Sequence, residues 1–464
     1  MRIFLALSLL ALSSLHAAEK APNIIFILAD DLGYGDLGCF GQETLKTPNI
    51  DRMASEGMKL TRHYAGSTVC APSRCVLMTG LHTGHCTVRG NNPVNMKPED
   101  ITVAEVLQKA GYTTGCFGKW GIGNPPPRDE PNKQGFDQFY GYVNMFHAHN
   151  FYPEFLIRNG EVEKLSNVVA EKWKAGDGAM GGKKEGVGVA EVKNDYAPDL
   201  IADDAVKFIE TGAKSEKPFF LYFAMNVPHA NNEGGRPPLS DGMEVPDYGD
   251  FAKKDWANPE KGFASMIRNI DRDVGRVLDK VRELGIGENT FVIFSSDNGP
   301  HSEGRHEMEF FDSNGMLRGK KRDLYDGGVR VPTLAWWPGK VEAGSVSDVL
   351  SGFQDFLPTA AELAGAESPE TTDGISLVPT LSGNPNKQAK HEFLYWEFIE
   401  QGGKKGVTDG KWKGIFLNVL KKDRSTFELY DLENDPAEES NVASENPEVA
   451  KRLKKLIEQS HTES

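Results

Sequence analysis

Two pairs of oxygen-bearing side chains, Asp30-Asp31 and Asp297-Asn298, each follow a short apolar run. Either pair alone reads as an ordinary turn after a strand. Together, three carboxylates and an amide would repel one another unless a cation lay between them, and an all-oxygen donor set favours calcium, with magnesium second, over zinc. A third group is the segment Ser67-Thr-Val-Cys70-Ala-Pro72-Ser73-Arg74-Cys75-Val-Leu-Met-Thr79-Gly80. Pro72 and Ser73 suit the first turn of a helix. The side chain of residue 70 would then lie beside a helix N-terminus, a place that favours anions.

The elements that must position these residues alternate between strand and helix. Asn23–Ala29 is a continuous apolar run, as expected for a buried strand of a parallel sheet. Val103, Val106 and Leu107 have helical spacing, Gly111 stops that helix, and Tyr112–Phe117 follows as a strand running to Lys119. Leu60–Tyr64 is a strand leading toward Cys70. A helix through Leu200–Ile209 precedes a strand Pro218–Ala224, and a longer helix through Ile267–Val281 precedes a strand Thr290–Ser295. This alternation predicts an α/β fold, a large mostly parallel or mixed sheet sandwiched by helices. Residues 165–195 (Gly, Lys, Glu) and 230–260 (Gly, Pro, Asp) read as surface excursions. From about residue 385 the pattern changes to strands Phe393–Phe398, Trp412–Leu417 and Glu428–Leu432 and a terminal helix Pro447–Glu458, a small antiparallel subdomain. The expected division is therefore a signal segment 1–18, a catalytic domain 19–384 and a C-terminal subdomain 385–464.

The chain has 464 residues, with 52 Lys+Arg against 67 Asp+Glu and a formal net charge of −15. That balance argues against nucleic acid or an anionic membrane as the main partner. The N-terminus carries Arg2, an apolar run Ile3–Leu12 and small residues Ala17-Ala18, the pattern of a cleavable secretory signal. The expected location is periplasmic or extracellular, with no transmembrane segment. All five cysteines (Cys39, Cys70, Cys75, Cys86, Cys116) fall in the first quarter without metal-type spacing. An odd count in an oxidising compartment leaves at least one unpaired or modified.

The stretch Cys70-x-Pro72-Ser73-Arg74 followed by Thr79-Gly80 resembles the signature of the type I, formylglycine-dependent sulfatases, arylsulfatase-like enzymes of the alkaline-phosphatase-like superfamily. The likeness continues in order through Asp30-Asp31, Gly118-Lys119-Trp120, Pro228-His229, Asp297-Asn298-Gly299, Arg318-Gly-Lys-Lys321, Tyr325–Pro332 and Glu428–Pro436. It implies that a maturation enzyme oxidises Cys70 to formylglycine (3-oxoalanine), whose hydrate is the nucleophile. It also implies that Asp30, Asp31, Asp297 and Asn298 hold one calcium, with residue 70 and the sulfate completing its shell. Arg74 and Lys119 would position the hydrate. His229 and Lys321 would contact the sulfate and assist the leaving oxygen, and Arg330 pairs structurally. The sequence departs from the family at Gly121, where a histidine two residues after the lysine is common. His147 or His149 is expected to enter the pocket instead. Arg89, with Asn91 and Asn92, and His301 are further candidates for binding substrate. The implied substrate is a sulfated carbohydrate, of galactose or hexosamine type. Two other readings remain open: a phosphodiesterase or phosphonate monoester hydrolase of the same superfamily, and a non-catalytic, calcium-stabilised glycan-binding protein.

Overall fold

A computed structural model describes residues 20–171 and 185–463; the expected signal segment and the centre of the 165–195 excursion lie outside the described residues. In chain order the strands are β1 (Asn23–Asp30), β2 (Met58–Leu60), β3 (His63–Tyr64), β4 (Thr113–Lys119), β5 (Gln138–Tyr142), β6 (Phe155–Arg158), β7 (Glu161–Lys164), β8 (Val168–Val169) and β9 (Ala190–Val192). They continue as β10 (Phe219–Pro228), β11 (Thr290–Ser296), β12 (Thr333–Trp336), β13 (Ser345–Ser347), β14 (Ser351–Gly352), β15 (Leu394–Phe398), β16 (Lys404–Thr408), β17 (Trp412–Leu417) and β18 (Thr426–Asp431).

Ten of them form one sheet in the order β13-β2-β12-β11-β1-β10-β4-β5-β6-β7. Its centre, β11-β1-β10-β4-β5, is parallel. The flanks turn antiparallel, β12 against β11 and β2 on one side, β6 against β5 and β7 on the other. Every residue of β1 is buried, because both faces of the sheet are covered. Its alternate side chains divide between two cores. Ile25, Ile27 and Ala29 pack with the helices Pro48–Glu56, Ala197–Gly212 and Asn258–Glu283. Ile24, Phe26 and Leu28 pack with the helices Cys70–Thr79, Val103–Lys109 and Phe356–Leu363.

A separate antiparallel sheet, β15-β16-β17-β18, follows. The helix Pro447–Gln459 buries Ala450, Leu453 and Ile457 against one of its faces. The other face packs Trp396, Phe398 and Tyr430 on Tyr64, Val69 and Leu324 of the large unit. The segment that leads into Cys70 is thus held from the C-terminal side.

Several expectations are corrected. The single strand Leu60–Tyr64 is two: β2 joins the large sheet, while β3 pairs with β14. The strand expected to stop at Ala224 runs on to Pro228, which brings His229 to the sheet edge. The 230–260 excursion is not all surface, since Ala230, Asn231 and Met243 are buried where this stretch folds against Gly304. The strands β5, β12 and β16 were not anticipated. Among the described residues no helix is long and apolar enough to cross a membrane.

Candidate active site

Four adjacent parallel strands carry the site. β1 ends at Asp30, β4 at Lys119, β10 at Pro228 and β11 at Ser296, so their carboxyl ends lie along one edge, the usual place for a ligand in such a sheet. Successive residues of an extended strand point to opposite faces. Asp31 leaves β1 in a left-handed conformation, φ +68°, and this turn lets both aspartates face the same point. Oxygens of Asp30, Asp31 and Asp297 lie within 4.8 Å of one another, and all three residues are buried. Asp31 N donates to Asp297 Oδ1 at 3.0 Å, and Asn298 Nδ2 donates to Asp31 Oδ1 at 2.7 Å. Asp30 Oδ1 and Asn298 Oδ1 have no hydrogen-bond partner. Buried, unsatisfied oxygens are unfavourable, and a hard divalent cation is what this donor set fits.

Protein cations surround the carboxylates. Arg74 is fully buried. Its Nε and Nη2 reach Asp297 Oδ2 at 2.9 and 2.8 Å, its Nη2 lies 3.4 Å from Asp30 Oδ1, and its Nη1 donates to Lys119 O at 2.6 Å. Lys119 Nζ donates to Asp30 Oδ2 at 2.7 Å and Lys321 Nζ to Asp31 Oδ2 at 2.8 Å. Burial opposes charge on Asp30, yet Lys119, with Arg74, holds its carboxyl well below the usual range. Asp297 differs: burial, with Asp30 beside it, pushes it up to about 7. Burial works against the Lys119 and Lys321 ammonium groups too, but Asp30 raises the first and Asp31 with Glu303 the second, so both stay charged.

His229 Nδ1 lies 2.7 Å from Ala230 O, which places its proton there and leaves Nε2 to accept from Lys321 Nζ at 3.0 Å. Burial, then Lys321, keeps His229 well below the ordinary histidine value, a neutral imidazole. Lys320 turns away to Ser302 Oγ at 3.1 Å, so Lys321 is the member of the pair that reaches the cluster. Arg330 binds Thr61 O and Asp326. Glu303, which the sequence did not single out, completes the group: its Oε2 lies 3.2 Å from Lys321 Nζ and 3.7 Å from His229 Nε2, and its Oε1 2.7 Å from Arg322 Nη1. No motif marked it; only its position five residues after Asn298 could have.

Cys70 is the first residue of the helix Cys70–Thr79 and is 2% exposed. Burial raises its thiol, against the pull of Lys119, so as a thiol it is protonated and weakly nucleophilic. Among the described residues all five cysteines are unpaired. Gly121 faces the same space. Its φ is +65°, and a Cβ there would sit 3.1 Å from Lys119 Cγ and Cε and 3.5 Å from Arg74 Cδ.

The candidate substrate-binding residues separate. His149 stacks on His229, ring centroids 4.3 Å apart at 16°. Burial, followed by His229, Lys119 and Lys321, keeps its ring well below the ordinary value. His147 instead packs on Tyr142 and Phe155. His301 lies beside His229, but its Nε2 meets Pro228 O and its Nδ1 accepts from Glu303 N, both at 3.0 Å. Arg89 is engaged with Cys86 O, Thr462 O and Glu397 rather than with the cluster.

A family model described as Sulfatase matches residues 22–366, and one described as N-sulphoglucosamine sulphohydrolase, C-terminal, matches residues 315–463. Arylsulfatase A of Homo sapiens is 33% identical over 497 positions, covering 97% of this chain and 89% of that protein. N-acetylgalactosamine-6-sulfatase of Mus musculus is 34% identical over 402 positions, covering 82% of this chain and 70% of that protein. The crystal structure of Ps i-CgsB in complex with k-i-k-neocarrahexaose superposes with a TM-score of 0.76 at 27% identity, covering 95% of this chain and 93% of that one. With the sulfatase model spanning most of its length and relatives of this similarity along nearly all of it, the chain belongs to the sulfatase family.

Proposed function

We propose that this sulfuric ester hydrolase removes sulfate from a sulfated carbohydrate of galactose or hexosamine type. The observation that carries the reading is the placement of residue 70 at a helix N-terminus beside three carboxylates, an amide and two charged lysines. Similarity to N-acetylgalactosamine-6-sulfatase and to a protein crystallised with a neocarrahexaose supports the substrate class. The N-terminal pattern of residues 1–18 supports export, where such a substrate would be met.

A formylglycine made from Cys70 by a maturation enzyme would supply an aldehyde hydrate as nucleophile, and calcium held by Asp30, Asp31, Asp297 and Asn298 would neutralise sulfuryl oxygen charge. The chain's own groups do the rest. Arg74 braces Asp297 and the Lys119 carbonyl together, which keeps the carboxylate cluster and the lysine in one geometry. Lys119 adds a fixed positive charge next to residue 70. Lys321 Nζ carries protons, and His229 Nε2, 3.0 Å away, accepts one from it; this pair protonates the departing alcohol oxygen. His149 serves in place of the histidine absent at Gly121. It is neutral, stacked on His229 and without a hydrogen bond to its ring nitrogens among the described residues, so a lone pair is open toward the hydrate, while burial and the neighbouring lysines keep it a weak base.

The test is mass analysis of the peptide containing residue 70, from a host able to mature sulfatases, with turnover of sulfated galactose and hexosamine saccharides and of matched phosphate esters. An aldehyde at residue 70 and preference for sulfate are expected. An intact thiol in active protein, or faster phosphate ester turnover, would overturn the reading.

A further inference from the structure

The loop that follows the signature helix is tied to the end of the chain. Gly84 O accepts from Thr462 N at 3.1 Å and from Thr462 Oγ1 at 2.9 Å. Arg89 Nη1 donates to Thr462 O at 2.7 Å and lies 3.4 Å from Glu397 Oε1 in β15. Asn91 N donates to Glu400 Oε1 at 2.9 Å, just beyond β15. These ties lay the Asn91 carboxamide against the first turn of the helix Cys70–Thr79. Asn91 Oδ1 accepts from Ala71 N at 3.3 Å and is 3.9 Å from Cys70 Sγ. A backbone N–H needs an acceptor, so the amide oxygen, not the nitrogen, faces residue 70. Val69, at the N-cap position, makes no side-chain cap. Asn91 therefore caps the helix from a distant loop.

We infer that Asn91 is a positioning residue for the modified side chain at position 70, and that Glu400 of the C-terminal sheet holds it in place. The inference rests on the formylglycine reading above. The thiol sulfur stands where the hydrate oxygens would be. A hydrate carries two O–H donors, and a fixed acceptor beside it takes one of them, which sets the rotation of the side chain and leaves the second hydroxyl for reaction. Neither Lys119 nor Arg74 supplies such an acceptor, since both side chains only donate. The C-terminal sheet thereby contributes to the nucleophile's orientation without touching the substrate.

The test uses the full, matured chain and three variants, Asn91→Ala, Glu400→Ala and Glu400→Gln. Aldehyde content at residue 70 is read by mass. The rate of oxime formation with an aminooxy probe reports free aldehyde against hydrate, and kcat and KM on an aryl sulfate are expressed per aldehyde. For Asn91→Ala, kcat should fall about 10- to 100-fold with KM changed less than about threefold, because orientation rather than binding is lost. Oxime formation should accelerate as the hydrate loses its hydrogen bond. Glu400→Ala should move both readouts the same way by less, and Glu400→Gln, which keeps an oxygen acceptor, should restore them. Unchanged kcat and oxime rate in Asn91→Ala would overturn the positioning role. If Asn91→Ala does not fold, wild-type values for both readouts in Glu400→Ala overturn it. Wild-type protein without an aldehyde would instead overturn the formylglycine reading, a result visible by mass alone.

Discussion

Replacing Arg74 tests whether the carboxylate cluster depends on a protein cation. Its guanidinium makes two contacts to Asp297 Oδ2, one to the Lys119 carbonyl and a longer one to Asp30, all without exposure to water. Arg74→Met removes one partner of a buried ion pair, an effect of about 3–5 kcal/mol. It also strands the Lys119 carbonyl, adding about 1–3 kcal/mol. The sum approaches the whole stability of many proteins, about 5–15 kcal/mol, so little folded Arg74→Met protein is expected. Arg74→Lys keeps the charge but offers a single nitrogen where the fork made several bonds. The loss of two charge-assisted hydrogen bonds predicts about 3–6 kcal/mol less stability. Because Arg74 also holds the backbone of Lys119, kcat should fall about 100-fold through misplacement alone. The assay is urea unfolding of matured protein, with and without calcium, alongside aryl sulfate turnover. Calcium should recover part of the stability lost in Arg74→Lys, since either cation relieves the same carboxylates. A variant with wild-type midpoint and wild-type kcat would refute the claim that Arg74 braces the site.

Lys321→Met should lower kcat about 10²- to 10⁴-fold on a saccharide sulfate but much less on an aryl sulfate with a good leaving group; equal losses on both would remove its role as proton donor. His149→Ala should reduce turnover of the saccharide about 100-fold, the low end of the range for a lost proton-transfer group, and unchanged turnover would return that role to another base. Chelation of calcium should lower stability by about 2.7 kcal/mol relative to calcium at 100-fold its dissociation constant, and Asp297→Asn should lose most of that increment, as read from thermal midpoints. Glu438 lies in a buried group with Lys413 and Asp326, and burial pushes it up to about 7 from its ordinary 4.5. As pH rises from about 4.5 to 7 the unfolded chain ionises first, so stability should decline across that window by up to about 3 kcal/mol and then level off. Glu438→Gln should remove its share of that slope in urea midpoints, leaving the part due to Asp36 and Asp297, which burial also pushes up to about 7; an unchanged slope would place the titration elsewhere.

The strands that carry the site were legible because full burial on two faces writes continuous apolar runs, as in Asn23–Ala29 and Thr290–Ser295. The Cys70–Gly80 segment was legible as a helix start through Pro72 and Ser73. β5 was missed because Gln138-Phe-Tyr-Gly-Tyr is short and interrupted by glycine. β16, Lys404-Lys-Gly-Val-Thr, reads as a charged turn until its neighbours β15 and β17 are known. The separation of His149 from His147 depends on a single turn, Phe146–Asn150, that points one ring at His229 and the other at Phe155. Likewise Arg89 carries a charge suited to an anion, and nothing local in its sequence announces Glu397, more than three hundred residues away.

The near-complete enclosure of Cys70 has a bearing on timing. A sulfur buried at the start of a helix, beside a loop that Thr462 fastens down, offers no approach to another protein's active site. Any enzyme that rewrites this side chain must meet it on an extended polypeptide. On the proposed formylglycine reading, the chemistry of the finished molecule is decided before the fold closes, and a chain that closes too soon stays inert however well it folds.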